Sequence, residues 1–150
     1  MKESRPTVLL AEDNEDDVFA LKYAFKRAQI TNPLQVVTDG QQAIDYLSGK
    51  GQFADRERFP LPFLFFLDLK MPYVDGFEVL SWIKKQPELE SMAVVVLTSS
   101  DEERDHQRAY ALGARSYLVK PPESTQIKDI LASLQSLWMR NDDSTPVIFG

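Results

Sequence analysis

The sequence predicts an α/β fold in which one parallel sheet is covered by helices on both faces. Three observations lead there. Residues 63–67 (FLFFL) are apolar at every position, the mark of a strand buried on both sides. Two further short apolar runs, residues 7–11 (TVLLA) and 93–97 (AVVVL), repeat the pattern. Between such runs lie stretches whose apolar residues recur at helical spacing, so strands and helices alternate as in a doubly wound sheet.

In chain order, residues 7–11 form the first strand and end at Glu12-Asp13. Asp13 or Asn14 caps the next helix, with Asp16 and Asp17 in the first turn, where negative charge suits the helix dipole. Val18, Leu21, Phe25 and Ala28 line its inner face. Residues 34–37 make a weaker strand, expected at the edge. Asp39-Gly40 opens a second helix with Ala43, Ile44 and Leu47 inward, stopped by Gly49 and Gly51. Residues 52–62 are polar, contain proline and mix charges, which predicts a long surface loop.

The central strand then ends at Asp68, and Met71-Pro72 and Asp75-Gly76 turn the chain into a helix over 77–86. Asp75 is its expected cap, and Val79, Leu80 and Ile83 face inward. Residues 93–97 lead to Thr98, a charged helix over 101–111 stops at Gly113, and residues 116–119 lead to Lys120-Pro121. A last helix starts at Ser124 or Thr125 and runs to about residue 140, with Ile127, Ile130, Leu131, Leu134 and Leu137 inward. Five strands and five helices with right-handed crossovers give a parallel sheet of order 2-1-3-4-5, the flavodoxin-like topology.

A chain of 150 residues, 43% hydrophobic and 27% charged, suits one soluble domain. It has no cysteine, which excludes disulfides and thiolate metal sites. No apolar run reaches membrane-spanning length and MKESRP is not a signal peptide, so no membrane role and a cytoplasmic location are expected. A formal charge of -6 without a basic stripe argues against nucleic acid as a partner.

The strand tips carry the chemistry. In the expected strand order, Glu12, Asp13, Asp68, Thr98 and Lys120 converge at the carboxyl edge of the sheet, where open α/β sheets place their sites. Three carboxylates together call for a neutralising cation, and oxygen ligands suit Mg²⁺. A carboxylate beside a metal, a hydroxyl and a lysine suits phosphoryl chemistry, with Asp68 as nucleophile.

With these residues in place, the chain resembles the receiver domain of two-component response regulators over about residues 5 to 140. The resemblance implies that Asp68, in FFLDLKMP, accepts a phosphoryl group from a histidine kinase. It implies that Asp13 and Asp68, with the Lys70 backbone carbonyl, ligate Mg²⁺, and that Glu12 contributes indirectly or through water. Thr98 matches the switch hydroxyl, and Tyr117 the aromatic that turns inward in the active state. Lys120-Pro121 matches the family's Lys-Pro pair, whose peptide bond is usually cis.

No room is left after residue 140 for an output domain, so residues 1–140 are expected to act as a stand-alone receiver with a 141–150 tail. Its output is then a surface change read by an unidentified downstream protein, or a phosphoryl group passed onward as in a phosphorelay. The loop YLSGKGQFADRERFPLP and the chain length resemble the regulators that partner phytochromes. Catalysis is expected only of its own phosphorylation and dephosphorylation. A haloacid-dehalogenase-type phosphatase would need an aspartate where Lys70 stands, and a docking module without phosphorylation would not need the full set of Asp68, Thr98 and Lys120.

The remaining residues have plainer readings. His106, the only histidine, reads as an ordinary surface residue of a charged helix. Lys70 reads as an exposed charge, Phe63, Phe65 and Phe66 as core, and Trp82 as partly buried, while Trp138 could be core or partner anchor. Mixed charges on the fourth helix and the apolar tail residues Val147, Ile148 and Phe149 lead to an expected homodimer.

Overall fold

The computed structural model describes residues 6–141, with side chains described for residues 6–134. β1 (Val8–Ala11) lies between β2 (Leu34–Val37) and β3 (Leu64–Leu67), and β4 (Ala93–Thr98) and β5 (Ser116–Val119) extend the sheet beyond β3. All pairings are parallel and the order is 2-1-3-4-5, as the sequence predicts. The register sets Ala11 opposite Leu67, and Leu67 opposite Val96, so the acidic and hydroxyl residues after these strands leave the sheet at one edge.

Alternation within the strands sorts the core into two layers. Leu9, Phe65, Leu67, Val94 and Val96 face α2 (Gly40–Ser48), α3 (Gly76–Lys84) and α4 (Glu103–Ala111). Val8, Leu10, Leu64, Phe66, Val95 and Leu97 face α1 (Glu15–Arg27) and α5 (Ser124–Asn141). With helices on both faces, β1, β3 and β4 are buried at every residue, which is why they are apolar but for Thr98 at the tip of β4. β2, at the edge, is only half-buried.

Caps fix where the helices begin. Asn14 accepts from the amides of Asp16 and Asp17, Asp39 accepts from Gln42, and Asp75 forms a reciprocal capping box with Glu78. Gly76 is required by close approach, because a Cβ there would lie 2.4 Å from the Asp68 carbonyl oxygen. The start of α3 therefore rests directly on the backbone that ends the central strand, and Gly76 N–H donates to the Leu69 carbonyl at 2.9 Å.

Two segments depart from expectation. The loop before β3 is exposed over much of its length, as expected of a surface loop, but Phe53, Arg56 and Phe59 pack back on α2. It contains a 3₁₀ turn at Gly51–Phe53, and Phe53 and Phe59 pack against Tyr46 of α2, Phe53 tilted and Phe59 edge-on. The Arg56 guanidinium donates to the carbonyls of Tyr46, Leu47 and Phe59, closing the carboxyl end of α2. Helix α4 begins at Glu103 rather than 101, and α3 ends at Lys84, followed by a 3₁₀ turn at Pro87–Leu89. The expected inward Leu137, Trp138 and the apolar tail residues lie outside the residues whose side chains are described. No helix among the described residues is long and apolar enough to cross a membrane.

Candidate functional site

The loops after β1 and β3 bring the acidic residues together. Glu12, Asp13 and Asp68 each offer a carboxylate oxygen, and these oxygens lie within 4.8 Å of one another. Glu12 and Asp68 are buried while Asp13 is exposed, so the cluster has a floor and an open side. The donors are all hard oxygens and closely spaced, so the set fits a small divalent cation such as Mg²⁺. Lys70 follows on the exposed rim, and its amide donates to Asp68 Oδ1 at 3.3 Å.

Lys120, at the end of β5, supplies a positive charge to this cluster. Its Nζ lies 2.6 Å from Glu12 Oε1, 2.7 Å from Asp17 Oδ2 and 3.2 Å from Asp68 Oδ2. The contacts to Asp17 and Asp68 are aligned hydrogen bonds. The Glu12 contact is a close ion pair without that alignment, which leaves Glu12 Oε1 buried with no aligned hydrogen bond. Burial pushes the Glu12 carboxyl up to about 7, with the Asp68 charge adding to the shift and Lys120 opposing it. Burial alone would lower the Lys120 ammonium, but Asp17, Glu12 and Asp68 outweigh it and hold that group above the usual lysine range. The Lys120-Pro121 peptide bond is cis, as expected from the Lys-Pro pair.

Thr98 is fully buried at the end of β4. Its hydroxyl is 3.5 Å from the Ser100 amide, the Ser100 carbonyl accepts from Tyr117 Oη at 3.0 Å, and Ser100 Oγ donates to Asp105 of α4 at 2.6 Å. Tyr117 is buried in this structure, and His106 covers it with ring centroids 3.7 Å apart. His106 also approaches Asp101 at 3.2 Å. Its side chain is only 27% exposed, so it is not the surface residue expected of a charged helix. The alternating charges of α4 obscured that inward face.

Asp17 is the site residue that sequence reasoning missed. Its place in the first turn of α1 already had an explanation in the helix dipole. The available signal was positional: a first-turn carboxylate at the same sheet edge as the strand-end lysine.

The fold and the clustered carboxylates, lysine and hydroxyl define a class of protein, and comparison with known families agrees. The chain belongs to the response regulator receiver domain family, whose profile matches residues 8–132. It is 37% identical over 135 residues to a probable methanogenesis regulatory protein, FilR2 of Methanothrix harundinacea, covering 88% of this chain and 83% of that one. It is 34% identical over 139 residues to response regulator Rcp1 of Synechocystis, covering 91% and 92% respectively. A solved Mn(2+)-bound form of Rcp1 superposes with TM-score 0.70 at 32% identity, covering 95% of this chain and 99% of that one. The bacteriophytochrome response regulator RtBRR superposes with TM-score 0.77 at 42% identity, covering 87% and 78%. The protein is a response regulator of two-component signalling.

Proposed function

We propose that Asp68 accepts a phosphoryl group from a histidine kinase, and that the α4–β5 face carries the signal to another protein. The observation that carries this reading is Asp68 itself: buried at the end of the central strand, within 4.8 Å of two further carboxylates and 3.2 Å from Lys120 Nζ. Asp13 and Asp68, with the Lys70 carbonyl, would hold Mg²⁺, and Glu12 would act from beneath. Mg²⁺ when bound supplies the charge that offsets these carboxylates and the phosphoryl oxygens. Lys120 would place its ammonium on a phosphoryl oxygen, and Thr98 would donate its hydroxyl to another.

The kinase we infer is of the phytochrome type. The named relatives include a bacteriophytochrome response regulator, and this chain spans nearly the whole of Rcp1. The protein would act in the cytoplasm, in its own phosphorylation chemistry rather than on an external substrate, and as a homodimer formed through the α4, β5 and α5 face. The expected contribution of the 141–150 tail to that dimer, through Val147, Ile148 and Phe149, lies outside the described residues.

The test is labelling with a small acyl-phosphate donor and Mg²⁺. The full chain should take up one phosphoryl group, and Asp68→Asn should take up none. Equal labelling of Asp68→Asn would refute the acceptor. Profiling phosphotransfer from several histidine kinases, phytochrome-type ones among them, tests the donor.

A further inference from the structure

We infer that Asp17 is a positioning residue for phosphoryl transfer: it anchors the Lys120 ammonium from outside the metal-binding carboxylates. This rests on the reading of Asp68 as acceptor. An ammonium has three hydrogens, and Lys120 has three carboxylates around it, Glu12, Asp17 and Asp68. Two of these belong to the clustered acids that would face a cation, and Asp17 does not. A cation or a phosphoryl group draws Glu12 and Asp68 into new contacts. Asp17 is then the one carboxylate still free to hold the ammonium in place.

The backbone that carries the anchor is held. Asp17 N–H donates to Asn14 Oδ1 at 3.2 Å and to the Asn14 carbonyl at 3.1 Å, so the first turn of α1 fixes the position from which the carboxylate reaches Lys120. The Asp17 contact to Lys120 is shorter than the Asp68 contact, at 2.7 Å against 3.2 Å. It joins residues 103 apart in sequence, tying the start of α1 to the end of β5. A side chain with four rotatable bonds gains most from such a tether, because the transferring group must meet the ammonium in one orientation.

The test uses the full chain with ¹⁵N-labelled lysine, the Lys120 ammonium resonance being identified by its loss in Lys120→Arg. Labelling by acetyl phosphate at saturating Mg²⁺ is followed in parallel. Asp17→Asn should broaden or erase that resonance and slow labelling about tenfold, the worth of one charge-assisted hydrogen bond. Asp17→Glu should recover part of both. Asp16→Asn removes the same charge from an exposed neighbouring position and should change neither. A wild-type labelling rate in Asp17→Asn, whatever its resonance, overturns the proposal, as does an equal loss in Asp16→Asn. Failure of the unaltered chain to label would instead overturn Asp68 as acceptor.

Discussion

Glu12 Oε1 and Lys120 Nζ lie 2.6 Å apart in a pocket where the glutamate is 1% exposed and the lysine side chain 12%. The pair compensates only part of the cost of burying Glu12, whose carboxyl stands at about 7 rather than 4.5. A raised carboxyl binds its proton more tightly in the folded chain than in the unfolded one. Its stabilising contribution is therefore complete below about 4.5 and lost as pH rises through about 7. In EDTA, melting should show this residue's share as a fall on the order of 3 kcal/mol across that window. Glu12→Gln should flatten that part of the profile. An unchanged slope in Glu12→Gln would show that the proton lies elsewhere.

Asp13 is the exposed member of the acid cluster. Asp13→Ala removes a like charge from beside Glu12 and Asp68, so the metal-free protein should be as stable as wild type or slightly more so. The rise in melting temperature on adding Mg²⁺ should shrink, by the linkage between binding and folding. Calorimetry with and without Mg²⁺ decides it; a full Mg²⁺ response in Asp13→Ala would remove it from the ligand set.

Gly76→Ala puts a methyl group 2.4 Å from the Asp68 carbonyl oxygen, a backbone atom that cannot swing aside. The expected cost is about 3 kcal/mol, at the upper end for overpacking. The strain falls on the Asp68 peptide, so labelling should slow even well below the melting temperature. Chemical denaturation and labelling rates check the two effects separately.

Arg56→Ala releases three carbonyls, those of Tyr46, Leu47 and Phe59. The loss should be about 2–3 kcal/mol, because hydrogen bonds from a charged donor are the strong kind. Hydrogen exchange should rise in residues 50–62 and at the end of α2, with little change in labelling of Asp68. Protection equal to wild type in that loop would mean the aromatic cluster alone holds it.

Thr98→Ala keeps the β4 strand but removes the hydroxyl that faces the Ser100 amide. Ser100 in turn holds Tyr117 through its carbonyl and Asp105 through its Oγ, so Thr98 is two contacts from α4. The variant should still be labelled, yet the NMR shift changes of α4 and β5 on phosphorylation should shrink severalfold. Equal changes with and without Thr98 would uncouple it from that face.

The sheet was legible because two-sided burial forces β1, β3 and β4 to be apolar up to the tip of β4, and five strands alternating with helices admit few topologies. The acids, Thr98 and Lys120 were legible because each stands at the carboxyl end of a strand. What escaped was whatever polar side chains do inside the fold. Gly49 marks the end of α2 in the sequence and caps it in the left-handed conformation, but Arg56 reads as loop charge and nothing in the sequence marks that it reaches back to the Tyr46 and Leu47 carbonyls. His106 sits among charged neighbours and still turns inward, and Asp17 had a sufficient local explanation that concealed a distant partner. Each of these contacts joins elements that only the folded topology brings near.

The His106 imidazole stacked on Tyr117 has a practical consequence. The chain contains a single histidine, so its ring protons form one set of resonances that need no mutagenesis to identify. At a centroid separation of 3.7 Å and an interplanar angle of 24°, those protons sit in the magnetic shadow of the tyrosine ring. Any rotation of Tyr117 or lift of α4 would displace them along the spectrum. The protein thus carries its own gauge of that face, readable in unlabelled material and in real time.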